Sequence, residues 1–255
     1  KPFIEFEILK ELHGIEDRKH EMPFEELVEL YLSKDHDWSP NTLDLKRYVL
    51  NAHIKQKQLP SNITSKAIHI RTINSCRNWG LKKGHITKAK KLEGNSKGEA
   101  RTRVFNSGEL KLLFSNLEDK KFTFFIKFAY YTGARSGEIR KMQKNQINNG
   151  SIEVIGKTGK RFIKINSQAQ RVIKEVNPLW SYSKDYVSHR FKREVRKLNI
   201  RNARFHDLRR TFGLNLIKRG MDIYKVSKLL GHKSVKTTEN HYAPLLTNDI
   251  EDFEI

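Results

Sequence analysis

The chain has 255 residues, with 50 Lys and Arg against 29 Asp and Glu, a formal net charge of +21 and an isoelectric point near 10.0. So large a surplus repels itself in a compact fold, and a polyanion is its usual partner, which argues against a small-molecule enzyme. The single cysteine, Cys76, excludes an intrachain disulfide, no apolar run approaches the roughly 20 residues of a membrane span, and no secretory signal is visible, so a reducing, cytoplasmic setting without a membrane partner is expected.

The charge is unevenly spread. Residues 1–37 hold five Lys/Arg against eleven Asp/Glu, whereas residues 38–92 hold twelve against the single Asp44. The chain opens on Lys1 rather than methionine, and a missing upstream portion is expected. Met22 to Ser33 predicts a helix, with Pro23 in its first turn and Phe24, Leu27, Val28 and Tyr31 on one stripe. Ser39-Pro40 starts a second with Leu45, Val49 and Ala52 inward, Asn62 to Trp79 reads as a third closed by Gly80, and a short fourth is expected after it. The polar, glycine-bearing stretch Lys91 to Arg103 reads as a linker. The length favours two domains: an acidic segment over 1–20, a helical domain over 21–92, the linker over 93–105 and a second domain over 106–255.

The second domain also reads as mainly helical. Asn106-Ser107-Gly108-Glu109 has the form of a capping box, Lys121 to Tyr131 is aromatic enough to be buried, and helices are predicted over Gln168–Val176, Lys184–Leu198, Asp207–Arg219, Asp222–Leu230 and Val235–Tyr242. Between them, Ser151 to Ile165 alternates apolar and polar residues about Gly156-Lys157-Thr158-Gly159, the pattern of a β-hairpin. A lysine at its tip can swing into a neighbouring phosphate site, and both Lys157 and Lys160 are placed for that; the plainer alternative is a basic hairpin that touches only DNA backbone. The fold class is therefore mainly α with a small β-hairpin or sheet. No metal-ligand cluster, nucleotide loop or cofactor motif is present, and no metal or cofactor is expected.

Four separated segments carry chemistry: Thr132-Gly133-Ala134-Arg135-Ser136-Gly137-Glu138, His206-Asp207-Leu208-Arg209, Leu230-Gly231-His232, and Tyr242. Attack on a phosphodiester builds charge on two non-bridging oxygens and requires a proton at the leaving oxygen. Guanidinium groups fork onto such oxygens, and His206 and Arg209, three apart at a predicted helix start, project from one face. A tyrosine hydroxyl can form a covalent bond to phosphorus and later leave without a cofactor. Of the two tyrosines beyond Arg209, Tyr224 fits the apolar stripe of a helix, whereas Tyr242 sits in the polar run Lys236 to His241, so Tyr242 is the expected nucleophile. Each segment alone has an ordinary explanation, such as a C-cap glycine at Gly231 or an Arg135–Glu138 pair; the ordinary explanations do not predict all four in this order.

The ordered set resembles the tyrosine recombinases, or phage integrase family, over roughly residues 20–250. The resemblance implies a small helical, SAM-like core-binding domain ahead of the catalytic domain, and a DNA strand exchange through a 3′-phosphotyrosine. Arg135 and Arg209 would hold the phosphate, His206 would assist the proton of Tyr242, His232 would hydrogen-bond a non-bridging oxygen, Lys157 would protonate the leaving oxygen, and Glu138 would orient an arginine. Rival readings are a type IB topoisomerase-like nicking and closing enzyme and a non-catalytic architectural DNA-binding protein. One departure stands out: Tyr242 follows His232 by ten residues where many relatives have nine, so an extra residue is expected in the loop before the last helix rather than within it, where it would turn the tyrosine by about 100°.

The partner implied is double-stranded DNA at the nucleoid, with Lys46, Arg47, Arg71, Arg77, Lys82 and Lys83 as candidate phosphate contacts of the first domain. Pro244 is expected to interrupt the last helix. Beyond it, the acidic tail with Ile250, Phe253 and Ile255 is expected, by analogy with relatives that exchange C-terminal helices, to dock on a neighbouring copy in a homotetramer.

Overall fold

A computed structural model describes residues 22–98, 101–156 and 159–246. The C-terminal docking segment and Lys157 lie outside the described residues, as do residues 1–21. Two compact units meet in sequence between Ala100 and Arg101.

Among the described residues the first unit holds three helices, α1 (Phe24–Ser33), α2 (Pro40–Gln56) and α3 (Ile63–Lys82). Proline opens α2, where its missing N–H costs nothing, and the Asn62 side chain caps α3 by accepting from the Ser65 amide at 3.0 Å. Leu27, Val28 and Tyr31 of α1 meet Val49 and Leu50 of α2 and Ile73 and Cys76 of α3 in one core. Gly80 does not end α3 as expected. It lies where a Cβ would stand 2.7 Å from the Leu27 side chain, so the glycine serves helix packing and the helix runs two residues further. Among the described residues no fourth helix follows in this unit.

The stretch expected to be a free linker is tied to α3 as far as Ser96. Asn74 exchanges two hydrogen bonds with the Leu92 backbone, at 2.7 and 2.9 Å, Arg71 donates to the Ser96 carbonyl and Arg77 to that of Lys90. Paired backbone groups, rather than glycine content, decide the path of this segment.

The second unit holds α4 (Ser107–Ser115), α5 (Lys120–Thr132), the single turn α6 (Ser136–Ile139), strands β1 (Ile147–Asn148), β2 (Ser151–Gly156) and β3 (Gly159–Lys164), then α7 (Ser167–Lys174), α8 (Lys184–Lys197), α9 (Asp207–Lys218), α10 (Ile223–Leu230) and α11 (Val235–Leu246). The fold is mainly α with one small antiparallel sheet in the order β1-β2-β3. Both arms of the Asn106–Glu109 capping box form, at 2.8 and 3.0 Å. Phe122, Phe125, Ile126, Phe128 and Ala129 bury the α5 stripe against Trp180, Phe191 and Leu208. Asn149 and Gly150, both at positive φ, make the two-residue turn between β1 and β2.

Two expectations change near the C-terminus. Tyr224 is an exposed residue of α10 while Tyr242 is buried, the reverse of their expected burial, because Tyr242 joins Leu214, Val226 and Leu230 in a second core cluster. Pro244 does not stop α11, which continues to Leu246; proline removes one helical hydrogen bond, and Leu245 and Leu246 pack on that same cluster.

Asp207 anchors α9. Its fully buried carboxylate takes two bonds from Arg101, at 2.7 and 2.9 Å, one from Arg210 at 2.8 Å and one from the Arg204 amide at 2.8 Å, at a helix start that itself favours an anion. Replacing it with alanine removes the carboxylate that Arg101 and Arg210 share and leaves them only their contacts with Asn202 and the Arg103 carbonyl. Asp207→Ala should destabilise the protein by about 3–5 kcal/mol, read from urea denaturation; a loss under about 1 kcal/mol would mean that both arginines find other partners.

Candidate active site and nucleic-acid interface

Five pieces of the second unit converge on a group of cations. The first is the turn after α5. Gly133 caps that helix at φ 62° and faces the Phe212 ring at a distance no side chain tolerates, so the chain turns sharply and delivers Arg135 two residues on. Glu138, one turn later and almost wholly buried, accepts from the Arg135 amide at 2.7 Å and from its guanidinium at 2.8 Å. The same carboxylate takes a bidentate pair from Arg161 of β3, at 2.9 and 2.8 Å. Burial alone would raise the Glu138 carboxyl, but the bonds and charge of Arg161, joined by those of Arg135, hold it down to about 2.

Arg209 is 4 % exposed on α9 and donates to the Gly133 carbonyl at 2.6 Å and to the Leu230 carbonyl. Arg161 donates to the Leu229 carbonyl at 3.1 Å. Two cations thus occupy the orphan carbonyls at the C-terminal end of α10, where the helix dipole favours positive charge. Burial, with Arg135 and Arg161 close by, pushes Arg209 down to about 9, so it remains a cation at neutral pH.

Around it stand the two expected histidines. His206 is the residue before α9, with helical dihedrals, and keeps an open edge to solvent. Protein packed on its other side, together with the charges of Arg209, Arg210 and Arg135, holds its ring at about 4. His232 follows the left-handed Gly231 cap of α10; burial first, then Arg209 and Arg135, put it at about 4 as well. Its Nδ1 lies 2.8 Å from the hydroxyl of Thr238, a buried residue of α11, which turns Nε2 outward. Tyr242 points inward from α11, its hydroxyl against Gly213 of α9; burial pushes the phenol up to about 12 against the pull of Arg209 and Arg210.

Arg135, His206, Arg209, His232 and Tyr242 are therefore brought to one place. Lys160 is not: it is exposed and pairs with Glu153 at 2.9 Å on the outer face of the hairpin. Sequence reasoning missed Arg161, Thr238 and His241. Arg161 alternates inward with Ile163 on β3, a period-two signal that was available. His241, whose Nδ1 is buried without a hydrogen bond, has its ring 6.4 Å from that of His232.

Beside His206 and Ser136 a cleft of about 800 Å³ runs along α8, rimmed by exposed Lys184, Lys192, Arg196 and Arg204. In the first unit, Lys82 and Lys83 are exposed and Arg47 pairs weakly with Asp44 at 3.6 Å. Lys46 instead lies over the Trp38 ring at 4.5 Å and donates to Tyr31. Arg71 and Arg77 are engaged by the backbone contacts described above, so four of the six expected phosphate contacts already have partners within the chain. Among the described residues no cluster of His, Cys, Asp and Glu of metal-binding form occurs, and no helix is long and apolar enough to cross a membrane.

Residues 181–248 match the phage integrase family. The tyrosine recombinase XerC of Pelobacter propionicus is 30% identical over 136 residues, 46% of this chain and 45% of that protein. The chain thus spans less than half the length of this curated relative. A crystal structure of a lambda integrase dimer bound to a COC′ core site superposes with a TM-score of 0.71 at 17% identity, over 92% of this chain and 100% of the other. A lambda integrase tetramer bound to a Holliday junction gives 0.67 at 18% identity, over 91% and 87%. Fold and sequence matches together make the chain similar to the tyrosine recombinases of the phage integrase family, with the sequence match concentrated in its C-terminal part.

The depressed histidines have a thermodynamic consequence. An imidazole that ionises near 6.5 when unfolded and near 4 when folded makes the unfolded chain the better proton binder between those values. The stabilisation is complete above about pH 6.5 and is lost as pH falls toward 4. The urea midpoint should therefore drop between pH 7 and 4.5, and His206→Asn/His232→Asn should reduce the drop; an equal drop in the double variant would contradict the assignment.

Proposed function

We propose that the chain is the core of a site-specific DNA recombinase that cuts and rejoins duplex DNA through a 3′-phosphotyrosine. The observation that carries this reading is the meeting of Arg135, Arg209, His206 and His232 beside Tyr242, a preorganised cationic seat for one phosphodiester next to a phenol able to attack it. Arg135 and Arg209 hold the non-bridging oxygens, with Glu138 fixing the Arg135 guanidinium. His206 assists the proton leaving Tyr242, and His232, turned by Thr238, donates to a phosphate oxygen.

The tyrosine oxygen joins phosphorus as the 5′ oxygen leaves, protonated by Lys157 of the hairpin. A 5′ hydroxyl from a partner duplex then attacks phosphorus and returns the phenol. The bond energy is kept in the intermediate, so the cycle runs without nucleotide hydrolysis. The 21–92 domain and the cations along α8 grip the flanking phosphates from the cytoplasmic nucleoid, and the acidic C-terminal segment couples copies into a tetramer on synapsed sites. The lambda integrase tetramer on a Holliday junction supports this last step by its shared fold.

Incubation with fragmented genomic DNA, followed by sequencing of covalently trapped pieces, identifies the target. Tyr242→Phe should bind that target with unchanged affinity and yield no covalent product; wild-type amounts of attached DNA would sink the nucleophile assignment. Joint molecules between two duplexes identify a recombinase, and relaxation of supercoils without them a nicking and closing enzyme.

A further inference from the structure

Gly213 lies in the interior of α9, where glycine costs about 1 kcal/mol relative to alanine. No left-handed backbone requires it there, so its reason is space. A Cβ at this position would stand 2.2 Å from the Tyr242 hydroxyl oxygen, 2.5 Å from Cζ and 3.1 Å from Cε1. The hydroxyl and Cζ would clash outright and Cε1 would be tight, so the end of the side chain as a whole would have to move. Nor has the ring anywhere to retreat: Tyr242 is 2 % exposed and is held by Leu214, Val226 and Leu230. Gly213 also follows Arg209 by four residues, which places the two on one face of α9 a single turn apart.

We propose that Gly213 is a positioning residue for the nucleophile: its missing side chain lets the Tyr242 hydroxyl settle on the α9 backbone, one turn from the position that carries Arg209. This rests on the reading of Tyr242 as the attacking group. The phenol is close enough to Arg209 and Arg210 to feel their charge, as a hydroxyl approaching an arginine-bound phosphate must. Any residue larger than glycine pushes that oxygen at least an ångström off its line, a displacement of the order that costs about 100-fold in a positioned reaction.

The test is single-turnover covalent attachment to a synthetic duplex carrying a sequence that the wild-type protein traps, with DNA affinity and thermal midpoint measured in parallel. Gly213→Ala should attach about 100-fold more slowly while binding the duplex normally. A second pair of variants separates positioning from a general structural effect. In Tyr242→Ala the ring is gone, and hydrogen peroxide serves as an external nucleophile on the bound phosphate. Adding Gly213→Ala to that background should leave peroxide-driven cleavage unchanged and restore any thermal stability that the single glycine variant loses. Attachment by Gly213→Ala at the wild-type rate or faster overturns the proposal, as does a fall in peroxide cleavage when Gly213→Ala is added to Tyr242→Ala. A wild-type protein that traps no DNA overturns instead the nucleophile reading on which it rests.

Discussion

Everything at this site depends on keeping three guanidiniums close together in a largely buried place. Arg135, Arg161 and Arg209 repel one another, and burial weakens the solvent screening that would otherwise relieve them. One carboxylate, Glu138, answers two of them through three hydrogen bonds from their guanidinium groups and a fourth from the Arg135 amide. Arg209 receives instead the carbonyl of Gly133 and the last carbonyl of α10. Backbone dipoles therefore neutralise the most buried cation without consuming it in an ion pair, and its charge stays available to an incoming anion. A carboxylate in direct contact with Arg209 would compete with phosphate for the same fork.

The same arrangement explains the histidines. Rings surrounded by guanidiniums are neutral at physiological pH, so His206 can accept a proton and His232 can donate from Nε2 without adding to the repulsion. A bound phosphate brings the missing negative charge and shifts every one of these balances together. The site is thus a preorganised cationic cluster, held together by helix ends, caps and tight glycines.

Much of this was legible in the chain. The capping box at Asn106, the hairpin alternation, the three helices of the first unit and the placing of Arg135, Glu138, His206, Arg209 and His232 follow from local pattern and from the order of the segments. What escaped was tertiary. Burial of Tyr242 and exposure of Tyr224 are set by how α11 lies across α9 and α10, which helix periodicity alone does not reveal. Arg161 shares the inward period of Ile163 on β3, yet a basic residue on a hairpin reads as solvent-facing until its partner, 23 residues earlier, is known. The Asn149-Gly150 turn, by contrast, is a plain local signal, because Asn-Gly is the pair that a two-residue turn with both φ values positive favours.

Charge counting carries the same lesson in a different form. The excess of lysine and arginine between residues 38 and 92 marks a surface for a polyanion, yet it does not say which cations reach it. Lys46 is held over aromatic rings, and Arg71 and Arg77 bind the chain that leaves α3. A cation already bonded to a carbonyl must give up that partner to meet a phosphate, so it gains less from DNA than a fully solvated one. On the proposed function, the freely exposed Lys82 and Lys83, and in the second unit the exposed Lys184, Lys192 and Arg196 beside the cleft, would accordingly contribute most to counterion release on a duplex. Net charge sets the sign of any interaction with a polyanion, and the internal hydrogen bonds of each arginine set how much of that charge is available to it.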